Sequence, residues 1–414
     1  MEPSPKVKAA LAEIEQASGD KTTLYEQLLA GIKELSSPAN AAEDLIAIVQ
    51  SFFSQSIGIV ATRTILGHYV QTLKGLDSGD LIIEVGTRTV AILTEQHSTF
   101  PDAAGTILEL VATAHEANED FVDAARALAE IPLDSSQRQV TVQQRAEIWI
   151  RIVRNHLEVG DSTSAATYIN KLKNIMHQVG STELALHFNL SQARILDAKR
   201  DFLPAANKYH ELSFSPAIAE EERMHTLSMA AKCAILAPAG PLRSRTLGKL
   251  YGDERAVQLP EHGILEKIFL DRILKQDEVD KFAEGLQPHQ LATTSDGSTV
   301  LARAVVEHNL LGVSRIYSNI SFDALAELLG LSVEKAEATT ARMIEQGRLS
   351  GSMDQLERWV WFDKGEGVGG KPEVHSGKHV RRWDANVESL AEEVENITSA
   401  LHQEFPVSFC PFPP

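Results

Sequence analysis

Residues 319–362 read NISFDALAELLGLSVEKAEATTARMIEQGRLSGSMDQLERWVWF, and this stretch decides the fold. Ser321 stands where it can cap a short helix carrying Leu325, Leu328 and Leu329, and Gly330 stops that helix. Ser332 caps a second helix with Val333, Ala336, Met343 and Ile344 inward, ended by Gly347. Two strand-like runs, RLSGSMD and RWVWF, follow across a turn. Helix, turn, helix and hairpin is the layout of a winged helix.

When such a domain reads DNA, its second helix lies in the major groove and needs basic or amide side chains there. Here Lys335 and Arg342 stand among Glu334, Glu337 and Glu345. That balance is wrong for phosphate contacts, so the stretch predicts a protein-protein module. The candidate interface is the hairpin edge at Trp359, Val360 and Trp361, which would pair with or pack on a neighbouring chain; ordinary domain core is the alternative use of the same side chains.

Upstream, three similar stretches recur: NEDFVDAARALAEIP, VGDSTSAATYINKLK and KRDFLPAANKYHELS. Their alanine pairs, Ala124-Ala125, Ala165-Ala166 and Ala205-Ala206, lie 41 and then 40 residues apart, the period of two-helix repeats. Each has an Asp or Gly-Asp turn before a helical apolar pattern, and the small pair lets helix backbones approach closely. Partner helices run between them, one with Ile148, Ile152 and Val159 on one side, another with Leu186, Leu190, Ala193 and Leu196. Stacked pairs of this kind bury a core that no single pair can. A further step reaches a helix after Pro241, where the alanine pair is gone and the array ends.

Downstream, WDANVESLAEEVENITSALHQEF places Trp383, Val387, Leu390, Val394, Ile397 and Leu401 on one apolar seam. A seam needs a partner, and a multi-subunit helical bundle is the expected one, a return onto its own chain being the alternative. Before it lies KGEGVGGKPEVHSGKHVRR, in which Gly365, Gly370 and Lys371 have the spacing of a phosphate-cradling loop. Such a loop needs a hydroxyl for magnesium at the next position and a helix opening there. Pro372 occupies that position and loop-forming text follows, so the string is expected to lengthen a linker. A nucleotide-using enzyme built on Lys371 is the alternative.

Composition agrees with an interaction protein. The chain has 414 residues, 43% hydrophobic and 23% charged, and a formal net charge of −18 from 57 acidic and 39 basic side chains. That charge argues against nucleic acid as a partner. Two cysteines, Cys233 and Cys410, give no disulfide framework and suit a reducing compartment. No leader-like start and no run of eighteen apolar residues occurs, so neither secretion nor membrane insertion is expected. There is no H-x-H, H-E-x-x-H, C-x-x-C or G-x-S-x-G, and no catalytic, cofactor-binding or metal-ligating residue is assigned.

A helical repeat array running into a winged helix and a bundling helix resembles the PCI-domain subunits shared by the proteasome lid, the COP nine signalosome and a translation initiation factor complex. The run LPEHGILEKIFLDRILKQDEVDKFAEGLQPHQLATTSDGSTVLARAVVEHNLLGVSRIYSNISFDALAELL, with GKLYGDER before it and MIEQGRLSGSMDQLE after it, is similar to the signalosome type, the proteasome lid being the alternative. The resemblance implies a mainly α fold: a TPR/HEAT-like solenoid over 1–240, the helical part of the PCI domain over 241–318, a winged helix over 319–363, a Gly-rich insertion over 364–382 and a bundle helix over 383–403. It implies a non-catalytic scaffold in the cytoplasm and nucleus. Its partners would be other PCI and MPN subunits, among them a JAMM isopeptidase and its MPN partner, and cullin-RING ubiquitin ligases, with neither nucleic acid nor membrane. It also implies a regulatory loop that touches the neighbouring MPN subunit, matched by residues 287–299 with His289, Thr293, Thr294, Asp296 and Gly297; the polar, turn-rich text there suits an exposed loop. The insertion is longer and richer in glycine than the resemblance leads one to expect.

Overall fold

The computed structural model describes residues 3–17, 21–37, 40–55, 57–76, 78–95, 100–133, 140–293, 297–363, 387 and 389–400. The chain divides into two units, Met1–Gly312 and Val313–Pro414.

In the first unit the regular structure among the described residues is helical, apart from one isolated bridge between Thr293 and Thr299. The helices Pro101–Ala117, Val142–Val159 and Thr182–Ala198 end in the same turn. The backbone N–H groups of Asp120, Asp161 and Asp201 donate to the carbonyls of His115, His156 and Leu196, each at 2.9 Å. That closure needs a left-handed residue just before the aspartate, and it is supplied by Glu119 at φ 64°, Gly160 at 85° and Arg200 at 63°. Only the middle repeat uses glycine there, so the other two hold an L side chain in a strained region. After each aspartate the next helix begins: Phe121–Ala129, Ser162–Ile175 and Phe202–Ser213. Within these, Ala124, Ala125, Ala165, Ala205 and Ala206 are buried, as the close approach of backbones requires, and Ala166 is partly covered.

Consecutive cores share helices. Val142–Val159 gives Ile148 and Ile152 to a core that reaches back to Val7, and Ala146, Ile150 and Val153 to the next. Thr182–Ala198 gives Leu184 and Ile195 to that second core, and Ala193 to a third that extends to Leu301. A helix with two apolar faces cannot satisfy both within one pair, so the pairs stack. This also corrects the one-sided pattern expected from sequence: Val159 and Leu190 are exposed, while Ile150, Val153 and Ile195 carry the second face. The helix Pro241–Tyr251, opened by its proline, carries the fully buried Arg243. Its Nε donates to the Ala234 carbonyl at 3.1 Å and its Nη2 to that of Ile235 at 2.8 Å. Those carbonyls belong to the last turn of Glu220–Leu236, where no intrahelical donor remains for them. Burial lowers the Arg243 pKa to about 10, against the pull of Glu307 and Asp271.

In the second unit, β1 (Asn319–Ser321), β2 (Gly351–Asp354) and β3 (Trp359–Phe362) form an antiparallel sheet in the order β1-β3-β2. Asn319, Ile320 and Ser321 pair with Trp361, Val360 and Trp359, and β2 pairs Gly351 with Phe362. A Cβ at Gly351 would collide with the Trp361 carbonyl oxygen, so glycine is required for the strands to meet. The helices Phe322–Leu329 and Val333–Glu345 are capped by the Ser321 and Ser332 side chains, and Gly330 ends the first in the left-handed region. Leu325 and Leu329 are buried and Leu328 is exposed.

β1 corrects the expectation for Trp359, Val360 and Trp361. β3 is the middle strand with both edges paired, so its backbone is closed to a neighbour's strand; the open edges belong to β1 and β2. The pleat turns Val360 and Phe362 into the core and leaves Trp359 and Trp361 on the other face. Residues 389–400 are helical, and every described residue from 387 onward is exposed.

Candidate interaction surfaces

The 287–299 segment is anchored more firmly than its polar text suggests. Gln290 is fully buried, and its Nε2 donates to both carboxylate oxygens of Asp197, at 3.0 and 3.1 Å. Asp197 lies in the last turn of Thr182–Ala198 and is itself buried. His289 places Nε2 3.2 Å from Asp197 Oδ1 but off hydrogen-bonding geometry. The segment's own backbone tightens the turn: Gln290 Oε1 accepts from the Gln287 N–H at 3.1 Å, and the Gln290 N–H donates to the Gln287 carbonyl at 2.9 Å. Beyond it, Thr293 and Thr299 form their bridge, Gly297 sits at φ 73°, and Thr293 and Gly297 are exposed. Thr294 and Asp296 lie outside the described residues. Sequence reasoning missed Asp197 and Gln290, which stand 93 residues apart and fit no motif.

Two apolar faces lie open. Trp359 and Trp361 are 38% and 39% exposed on one side of the sheet. Val387, Leu390, Val394 and Ile397 are exposed along the 387–400 stretch, at 45%, 61%, 56% and 59%. Trp383 and Leu401, the ends of the expected seam, lie outside the described residues, as do Gly365, Gly370, Lys371 and Pro372. Large apolar side chains left this exposed in a series are uncommon on the surface of a soluble monomer.

Cys233 is buried, and burial, followed by the Asp197 carboxylate, pushes its thiol well above the ordinary range, the opposite of a nucleophile's setting. Arg255 donates from Nε and Nη2 to the Asp253 carboxylate, which holds it below the usual range, and from Nη1 to the Ser213 carbonyl at 2.7 Å. His210, at 3.6 Å from Asp253, is lowered by burial against that carboxylate's pull. Together these groups tie Phe202–Ser213 to the 3-10 turn Glu254–Gln258. Among the described residues no group of three or more His, Cys, Asp or Glu is placed to hold a metal ion. None of the described helices is long and apolar enough to cross a membrane.

Comparison with known proteins places similarity over both units. A family described as PSMD12/CSN4, N-terminal, matches residues 7–221, and the PCI domain family matches residues 265–364. The chain is 51% identical to COP9 signalosome complex subunit 4 of Neurospora crassa, over 97% of each chain. It is 45% identical to the protein of that name from Emericella nidulans, over 96% of this chain and 98% of the relative. With that from Drosophila melanogaster it shares 35% over 92% of this chain and 90% of the relative.

Proposed function

The chain belongs to the COP9 signalosome subunit 4 family, and from that premise we propose that it is a non-catalytic scaffold subunit of the signalosome. In this reading it supports assembly, recognition of cullin-RING ligases and activation of a partner isopeptidase for cullin deneddylation. The zinc chemistry resides in a JAMM subunit, the remaining partners are PCI and MPN subunits, and the complex works in the cytoplasm and nucleus. The observation that carries the reading is likeness along nearly the whole length, 51% identity over 97% of both chains.

The organisation proposed from sequence is kept: solenoid over 1–240, helical PCI part over 241–318, winged helix over 319–363, linker over 364–382 and bundle helix over 383–403. Within it, the exposed side chains Val387, Leu390, Val394 and Ile397 supply the bundle seam, and Trp359 and Trp361 pack on a neighbouring winged helix by their faces. His289, Thr293 and Gly297 belong to the segment offered to the MPN subunit. The acidic charge of −18 suits protein partners over nucleic acid.

The test is gentle purification of the tagged protein at native level, with mass spectrometry of its companions and a cullin deneddylation assay on the eluate. Several PCI and MPN proteins should be recovered with deneddylase activity that the chain alone lacks. A partnerless monomer, or ATP binding that Lys371→Ala abolishes, would overturn the reading.

A further inference from the structure

A carboxylate buried in the last turn of a helix is costly unless its lone pairs are occupied. Asp197 is 2% exposed, and the groups that occupy it come mainly from one place, the root of the 287–299 segment. Gln290, with no exposure at all, spends both Nε2 contacts on it, and His289 brings its ring to 3.2 Å. The Cys233 thiol, on the helix Glu220–Leu236, feels the same carboxylate. The carbonyl end of Gln290 is meanwhile held by the Gln287 N–H. Both ends of one buried amide are thus fixed, one to the repeat helix and one to the segment's first turn. Thr293 and Gly297, beyond that root, are exposed.

We propose that Asp197 and Gln290 are positioning residues for residues 287–293: their paired contact sets the orientation in which the repeat helix Thr182–Ala198 presents that stretch to a partner subunit. The proposal rests on the reading of that segment as a subunit contact. It assigns a role in assembly to Asp197, a side chain buried within its own chain.

Complementarity makes the test selective. Gln290→Glu sets two carboxylates against each other in a buried site, so the root must open or take up a proton. Adding Asp197→Asn restores a donor opposite an acceptor with side-chain lengths unchanged. In the full-length protein, Gln290→Glu should cut hydrogen-exchange protection of residues 287–292 about tenfold, a local opening. In the co-expressed complex it should lower both recovery of partner subunits and the deneddylation rate, while protection in Val142–Val159 stays as it was. The double variant should recover protection and assembly together. Should protection fall while assembly and rate stay normal, or should Asp197→Asn fail to rescue, the proposal is overturned. Thr293→Arg, at an exposed position, separates the two ideas. If it abolishes partner recovery while Gln290→Glu does not, the contact stands and the anchor falls; if neither variant matters, the contact reading falls with it.

Discussion

The helix Phe121–Ala129 and the helix at 389–400 are written in the same apolar spacing, and they meet opposite fates. In the first, Ala124, Ala125 and Leu128 are buried at 1% exposure or less. In the second, Leu390, Val394 and Ile397 are all more than half exposed. Helical periodicity states that a face wants covering; it does not state by what. A repeat covers its face with the next repeat, because the same turn recurs at Asp120, Asp161 and Asp201 and delivers each helix to its neighbour. Along the 389–400 helix every described residue is exposed. In our account the face is kept for other subunits, where a few central apolar side chains carry most of the association energy.

The comparison breaks most readily at matched leucines. Leu128→Ala should cost about 2–5 kcal/mol of unfolding free energy, since it opens a cavity in the first core. Leu390→Ala should cost less than about 0.5 kcal/mol in the isolated chain, the range of surface substitutions. Denaturant titration of both variants settles the contrast, and equal losses would show that the 389–400 helix packs within its own chain.

Acid should weaken the first unit before it affects that helix. His210 has its folded-state pKa lowered from 6.5, mainly by burial, so the stability it confers is present above pH 6.5 and is lost as pH falls through the folded value. Asp253, lowered from 3.8 chiefly by the Arg255 hydrogen bond, extends the loss at more acid pH. Melting temperature followed against pH should therefore decline below pH 6.5, and His210→Gln should flatten that first decline.

The smallest effect sharpens the repeat side. Glu119 and Arg200 occupy the left-handed position that Gly160 fills in the middle repeat. Glu119→Gly and Arg200→Gly should each gain about 0.5 kcal/mol, strain relief offset by the greater freedom of glycine in the unfolded chain. Gly160→Ala should lose a similar amount in the same denaturation series.

These cases also mark how far the sequence could be read. The repeats were legible because period, turn residue and small side chains coincide at Ala124, Ala165 and Ala205. The two winged-helix helices were legible because Ser321, Gly330 and Ser332 are local signals, and local signals need no knowledge of the rest of the fold. β1 left no comparable mark, being three residues long and running straight into the Ser321 cap, and so the place of Trp359, Val360 and Trp361 was misjudged as an edge. The Asp197–Gln290 contact joins residues 93 apart through an amide with no distinguishing neighbours, and no periodicity points from one to the other. The polar text of residues 287–299 suits an exposed loop, and such a stretch rarely announces which of its members is buried.

The central claim is that the exposed seam belongs to other subunits. Its most direct test is a chain carrying Leu390→Asp and Ile397→Asp, purified alone for its melting temperature and co-expressed with the other signalosome subunits for assembly. The account predicts an unchanged melting temperature and a loss of about tenfold or more in recovered partners, the penalty of charge in a desolvated contact. Full recovery of the complex, or a chain that melts several degrees lower on its own, would contradict it.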